Sequence, residues 1–129
     1  MGKRLINLAR LVDIHFITAD TNNTAADELK GLPIELHLLK GETDHDCQKR
    51  GHLKQLELEP SGVAAFGNGN NDRLLLKAVK DAGGLAIAVE NGEGCALDAI
   101  VNAHLFITGA ANALDLLLKT KRCKATLRF

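Results

Sequence analysis

A glycine-rich turn between a short apolar run and an amphipathic helix sets the strongest limit on the fold. The sequence reads VAAFGNGNND over residues 63–72 and continues as RLLLKAVKDAGG over residues 73–84. In an open α/β sheet, a turn of this kind lies at the carboxyl end of a strand, where ligands bind. Gly67 and Gly69 permit a tight or positive-φ backbone there. The segment therefore predicts a strand, a ligand-binding turn and a helix in succession.

The side chains of this turn suit a metal ion and a phosphate group together. Asn68 and Asp72 carry oxygen ligands of the kind that Mg²⁺ prefers. The start of the following helix adds free N–H groups and the positive end of the helix dipole, which favour a phosphate. The same residues are also typical of a plain strand-to-helix turn capped by Asn71, because Asn and Gly favour turns whatever the function.

Apolar runs and helical patterns alternate along the whole chain. We predict strands at 14–18, 35–39, 63–67, 85–89 and 104–108, with helices at 4–11, 46–57, 72–82, 96–103 and 111–118. A short helix is also predicted to open at Thr24 and to stop at Gly31. This alternation predicts an α/β fold with a parallel sheet covered by helices on both faces. A length of 129 residues suits one compact domain, so we expect residues 1–129 to form a single unit. A helix before the first strand is unusual for such a fold.

Composition argues against several classes of partner. The 16 basic and 16 acidic residues cancel, so no strong field favours nucleic acid or a membrane surface. The chain has four Phe and neither Trp nor Tyr, which removes the stacking platforms of most single-strand nucleic-acid binders. Its apolar runs are too short to span a bilayer. The three cysteines are odd in number and widely spaced, which favours a reducing cytoplasm.

The segment GNGNND at 67–72 resembles the fourth motif of the haloacid dehalogenase superfamily, in the GDGxND form shared with the P-type ATPases. The chain is most similar to the small, soluble P-type-ATPase-like hydrolases of that superfamily. Further matching segments follow the family order: FITADT at 16–21, AIAV at 86–89, ALDLLL at 113–118 and KRCKATLR at 121–128. The resemblance implies a three-layer, Rossmann-like parallel sheet and a Mg²⁺-dependent phosphohydrolase that works through an aspartyl phosphate.

The resemblance also implies roles for individual residues. Thr18 matches the second motif, whose hydroxyl holds a phosphate oxygen. Lys49 best matches the third-motif lysine, which binds phosphate and neutralises charge during catalysis. Asn68 and Asp72 occupy the two acidic positions of the fourth motif, which hold the magnesium. The resemblance also implies that Lys49 and Asp72 are catalytic residues. Because Asn68 brings no charge, we expect weaker metal binding than in relatives with Asp.

The nucleophilic aspartate of the family, which lies in a DxxxT motif on the first strand, has no counterpart before Gly2. We therefore expect a fragment short of its first strand, whose nucleophile would come from sequence upstream. Asp20 in DTNNT at 20–24 also fits DxxxT, but FITADT matches the second motif better and too little sheet would separate Asp20 from Lys49. The nucleophile stays unassigned, and the substrate is a phosphorylated compound of unknown identity.

A different class of function is a non-catalytic binding or interaction module with the same fold. A sheet without its first strand exposes strand edges, which invite a homo-oligomer. Other candidate sites are weaker. The segment DHDC at 44–47 with His52 offers zinc ligands in an unfamiliar spacing, so we interpret it as a polar loop. His15 and His104, at strand edges, are interpreted as packed or capped side chains.

Overall fold

A computed structural model describes residues 2–19, 27, 29–41 and 43–119 of the chain. Its helices are α1 (Gly2–Ala9), α2 (His45–Gln55), α3 (Arg73–Asp81), α4 (Leu97–Val101) and α5 (Ala110–Leu118). Its strands are β1 (His15–Thr18), β2 (Glu35–Leu38), β3 (Ala64–Gly67), β4 (Leu85–Glu90) and β5 (Leu105–Thr108). Short 3₁₀ turns cover Pro60–Gly62 and Asn70–Asp72. Over these ranges, none of the helices is long and apolar enough to cross a bilayer.

The predicted alternation of strands and helices is confirmed. Each predicted strand lies within one residue of its observed bounds, and each predicted helix within two. The exception is the short helix predicted from Thr24, of which residues 24–26 and 28 lie outside the described residues. Every ladder is parallel, so the coarse prediction of an α/β fold built on parallel strands is also confirmed. Leu11, the last residue of the predicted helix 4–11, follows α1 and is 70% exposed.

The strands form two sheets instead of the one continuous sheet that was predicted. β3, β4 and β5 form a three-stranded sheet in that order, with Phe66 opposite Ile87. β1 pairs only with β2, in a register that places His15 opposite Glu35. Within the described ranges no ladder joins β1 to β3, so each of them is hydrogen-bonded along one edge only.

The core lies on both faces of β4, whose residues 86–89 are all buried. Ala86 and Ala88 face a cluster to which α2, α3 and α4 contribute. Ile87 and Val89 pack on the opposite face with Ala113 of α5. Burial on both faces explains the continuous apolar run of β4, which is typical of a central parallel strand. Helices therefore cover both faces of the three-stranded sheet.

The amino-terminal helix packs against the carboxyl-terminal one. Leu5 and Leu8 of α1 are buried, and they give the helix one apolar face. On the same helix, Arg4 donates from Nε to Oδ1 of Asp115 on α5, at 3.0 Å. These contacts join the two ends of the described chain.

Candidate functional site

The structure brings together two residues that the sequence predicted for the site. Lys49 lies on α2 and Asp72 lies in the turn after β3, 23 positions later. The Nζ atom of Lys49 is 2.7 Å from Oδ1 of Asp72, and the two residues are only 9% and 5% exposed. Charges removed from water in this way require a close partner, since each alone would lose its hydration. The pair therefore fixes α2 against the turn.

The remaining oxygen of Asp72 is held by the backbone of its own turn. Oδ2 accepts hydrogen bonds from the N–H groups of Asn68 and Gly69, each at 3.0 Å. Lys49 also donates to Oδ1 of Asn71 at 3.2 Å. The carboxylate thus folds back over the glycine turn and lies between two N–H donors on one side and an ammonium on the other.

Gly67 is required by the close approach of Asp72. A Cβ atom at position 67 would lie 2.7 Å from Oδ2 of Asp72, well inside van der Waals contact. Neither glycine of the turn has a positive φ, and Gly69 has a φ of −112°. Of the two uses that the sequence left open, the tight backbone is the one observed. The glycine leaves room for the carboxylate.

The alternative of a plain helix cap does not describe the turn. Asn71, the expected cap, lies inside the 3₁₀ turn and its side-chain oxygen faces Lys49. Asp72 precedes α3 but makes no side-chain cap to it, since both its oxygens are used elsewhere. The first N–H group of α3, that of Arg73, donates instead to the carbonyl oxygen of Asn70 in the 3₁₀ turn.

A second ion pair holds the two helices that carry the site. Arg73 at the start of α3 donates from Nη2 to Oδ2 of Asp46 on α2, at 3.0 Å. The hydrogen bond from Arg73 lowers the pKa of Asp46, and the backbone N–H of Cys47 adds to the effect. This pair places the first turns of α2 and α3 side by side, so that Lys49, one turn later, reaches the glycine turn.

Cys95 lies near the same turn and is not activated. Burial raises the pKa of its thiol, and the negative charges of Asp72 and Glu90 raise it further. A thiol in that state is a poor nucleophile, because the thiolate is the reactive form. Cys95 therefore serves as a packing residue beside the site.

The other predicted residues are placed as follows. The observed hydrogen bonds of Asn68 use its backbone, which donates to Asp72 and accepts from the N–H of Ala96 at 2.7 Å. Thr18 is the last residue of β1, in the other sheet. Asp20, the alternative nucleophile, lies outside the described residues, as does the matching segment 121–128. The roles of Thr18 and of the Asn68 side chain remain predictions.

A second group of polar side chains was missed by the sequence reasoning. His15 of β1 converges with Glu35 and His37 of β2, and we call these three residues the histidine cluster. The Nδ1 atom of His15 is 3.0 Å from Nε2 of His37. The Oε2 atom of Glu35 is 3.3 Å from the first of these nitrogens and 3.7 Å from the second. The available signal was the alternation in ELH at 35–37, which places Glu35 and His37 on one face.

His52 of α2 extends the histidine cluster. Its ring centroid lies 5.3 Å from that of His37, with the two rings tilted by 45°. Burial lowers the pKa of His52, and the charge of His37 lowers it further. Its neutral form is therefore favoured.

The remaining histidines, His45 and His104, each contact a backbone group. His104 is capped, because its Nδ1 accepts a hydrogen bond from the N–H of Ala86 at 3.0 Å. His45 contacts the carbonyl oxygen of Gly41 at 2.9 Å. The segment 44–47 was interpreted as a polar loop, but its residues 45–47 form the first turn of α2.

Comparison with known proteins identifies a related protein whose name states no activity. Uncharacterized protein MJ0073 of Methanocaldococcus jannaschii is 42% identical to this chain over 66 residues, which are 51% of this chain and 67% of the relative. No protein-family model matches the chain, and no solved structure matches it at a significant level. The name of the relative states no function, so the chemistry must be argued from the residues. With that identity over two thirds of the relative, the chain belongs to the protein family of MJ0073.

Proposed function

We propose that this chain is a haloacid-dehalogenase-like, P-type-ATPase-like phosphohydrolase module whose glycine turn and Lys49 neutralise charge on a phosphoryl group. The observation that carries the proposal is the 2.7 Å contact between Lys49 and Asp72. The resemblance assigns these residues to two different motifs, and a shared site requires them to meet. Phosphoryl transfer depends mainly on positioning and on electrostatic stabilisation, which a fixed ammonium beside a helix start supplies.

The arrangement of strands supports the three-layer, Rossmann-like fold within this proposal. Helices lie on both faces of the three-stranded sheet, and β1 and β3 are each paired along one edge within the described chain. One further parallel strand between them would join the two sheets. Its carboxyl end would then lie between Thr18 and Gly67. That is where the proposal places the aspartate nucleophile, on a strand outside the described residues, with Thr18 holding a phosphate oxygen.

The donor set fits magnesium when a phosphate is bound with it. Asp72 keeps a lone pair on Oδ1 beside Lys49, and the side-chain oxygen of Asn68 is a neutral ligand. Mg²⁺ usually takes one or two carboxylates and completes its shell with phosphate oxygens and water. Bound there, the ion would offset charge on the phosphate. Lys49 would offset the rest, and Asp72 would hold the ammonium in place while the aspartyl phosphate forms and is hydrolysed.

The second candidate is a non-catalytic module of the same fold that binds a partner. The observation in its favour is that Asp72 is satisfied without a ligand, by Lys49 on one oxygen and by two backbone N–H groups on the other. In this function the pair is a clasp between α2 and the turn. The open edges of β1 and β3 would then bind a partner strand, including one from a second copy of the chain.

Magnesium and inorganic phosphate, added to the chain as it is, test the proposal. We expect both ions together to shift the amide NMR signals of Asn68 and Gly69, and p-nitrophenyl phosphate to be hydrolysed slowly with Mg²⁺ if a nucleophile is present. Asp72→Asn should abolish both effects. Asp81→Asn is the matched control, because Asp81 is exposed on α3 and pairs only with Lys77 among the described contacts.

The outcomes separate the two candidates. Signal shifts at the turn that disappear in Asp72→Asn support a phosphate and magnesium site. A folded chain whose amide signals do not shift when both ions are added contradicts that site and favours the binding module. Phosphatase activity that survives Asp72→Asn would belong to a contaminant or to another site, and it would also contradict the proposal.

A further inference from the structure

The backbone places the three side chains of the histidine cluster on one face of the β1–β2 sheet. His15 is opposite Glu35 in the parallel register, and His37 follows Glu35 by two residues. Alternate residues of a strand point to the same face, so Glu35 and His37 must share one. The parallel ladder itself therefore brings the three side chains together.

The spacing of the ligand atoms matches that of a tetrahedral metal. Bonds of about 2.0–2.1 Å at tetrahedral angles place the ligand atoms of a zinc site about 3.3–3.4 Å apart. The observed separations among His15 Nδ1, His37 Nε2 and Glu35 Oε2 are 3.0, 3.3 and 3.7 Å, which bracket that value. The circle through three points at these separations has a radius of about 2 Å, which is the length of a zinc–nitrogen bond. A single ion can therefore bind all three atoms.

We propose that His15, Glu35 and His37 form a binding site for a late first-row divalent metal ion, best suited to Zn²⁺, with a fourth position open to water. Two imidazoles and one carboxylate are a donor set of zinc sites that keep an open position. Imidazole nitrogens favour zinc and its neighbours over magnesium or calcium, which prefer oxygen. The side chain of Glu35 is 67% exposed, so the fourth position faces solvent.

Binding requires a small rearrangement of protons. At 3.0 Å, one of the two facing nitrogens of His15 and His37 donates its N–H to the other. A metal ion needs a lone pair on both, so this proton must move to the outer nitrogen of its ring or leave for solvent. The ring of His52 packs beside His37 and helps to hold its orientation.

The site is independent of the proposed phosphohydrolase function. It lies on the two-stranded sheet and uses nitrogen ligands, whereas the Lys49–Asp72 site lies at the end of β3 and uses oxygen ligands. The two proposals can therefore be tested separately, one with zinc and one with magnesium and phosphate.

Zinc titration of the chelator-treated chain tests the proposal. After treatment with EDTA and removal of the chelator, calorimetry with ZnCl₂ should give one ion per chain, and CoCl₂ should give the intense visible absorption of tetrahedral cobalt. His37→Gln should weaken zinc binding by about 100-fold or more, above the usual cost of losing an outer-shell partner. His45→Gln and Cys47→Ser are the matched controls, since both residues lie outside the histidine cluster, and they should bind zinc like the parent chain.

Glu35→Gln keeps the test decisive if His37→Gln does not fold. The side chain of Glu35 is largely exposed, so its removal should leave the fold intact while weakening zinc binding. Zinc should raise the melting temperature of the parent chain, because a ligand that binds the folded state stabilises it, and should raise that of Glu35→Gln less. Zinc affinity unchanged in both variants, or lost in Cys47→Ser instead, would overturn the proposal.

Discussion

The Lys49–Asp72 pair and the histidine cluster are both groups of ionisable side chains, but the cluster is more accessible to solvent than the pair. The pair is almost buried, and the protein itself supplies hydrogen bonds to both carboxylate oxygens. In the histidine cluster the side chain of Glu35 is 67% exposed, whereas those of His15 and His37 are 17% and 20% exposed, and the three ligand atoms lie within 4.8 Å of one another. A buried pair fixes local structure whether or not it binds a ligand. An exposed carboxylate such as that of Glu35 contributes little to folding, and it leaves the cluster open to an ion from solvent.

Lys49→Met, which acts on the buried pair, should lower the free energy of unfolding more than any other change proposed here. It leaves the carboxylate of Asp72 buried without its ammonium, which costs about 3–5 kcal/mol of unfolding free energy. Urea unfolding followed by circular dichroism measures the loss. Lys54→Met, an exposed change on the same helix, should stay within about 0.5 kcal/mol of the parent.

Adding Asp72→Asn to Lys49→Met identifies the cause. The amide removes the orphaned charge and still offers an oxygen to the N–H groups of Asn68 and Gly69. We therefore expect the double variant to be more stable than Lys49→Met alone. Equal stability of the two would mean that the loss comes from packing of the lysine stem and not from charge.

Gly67→Ala should have the next largest effect. The new Cβ would occupy the space of the Asp72 carboxylate, so the turn must open or the side chain must leave. Overpacking of this kind costs about 1–3 kcal/mol. Gly62→Ala is the control, because a Cβ there meets nothing within 4 Å. Thermal unfolding compares the two, and amide signals of Asn68 that stay unshifted in Gly67→Ala would contradict the predicted displacement.

The two sites differ in how far the sequence could predict them. Strands and helices followed from apolar periodicity, which is local and therefore readable. Lys49 and Asp72 are 23 positions apart, and only the resemblance joined them; nothing in their spacing did. Which glycine must lack a Cβ, and which side chain occupies the space of that Cβ, depends on the three-dimensional path of the turn. The fold class was thus predictable, and the geometry of the site was not.

The histidine cluster was missed because it depends on strand register. The sequence placed His15 at the edge of one strand and Glu35 and His37 in the next, but a cluster forms only if His15 lies opposite Glu35. A shift of one residue would turn the side chains of one strand to the other face. The separation of β1 from β3 was equally unreadable, because an unpaired edge leaves no mark on an apolar strand.

Glu35→Gln in the metal-free chain tests how much the exposed carboxylate of the histidine cluster contributes to stability. It removes a charge from an ionisable group, as Lys49→Met does, but this charge is largely exposed. Exposed pairs contribute about 0–1 kcal/mol, so we expect the stability of the metal-free chain to fall by less than about 1 kcal/mol. Urea unfolding in EDTA measures it. A loss as large as that of Lys49→Met would mean that the cluster is structural, and that its convergence reflects folding and not ligand binding.

The smallest effect concerns pH and His52. Burial, and then the charge of His37, hold the pKa of His52 below its usual 6.5, so the folded state binds fewer protons than the unfolded state just below that pH. The contribution of His52 to stability is therefore present above the unfolded pKa and is lost as the pH falls from about 7.5 through 6.5 towards the lowered value. His52→Gln should flatten this dependence when urea midpoints at about pH 7.5 and 5.5 are compared in EDTA. An NMR titration of the His52 ring gives the pKa directly, and a value above 6.5 would contradict the lowering of this pKa by burial.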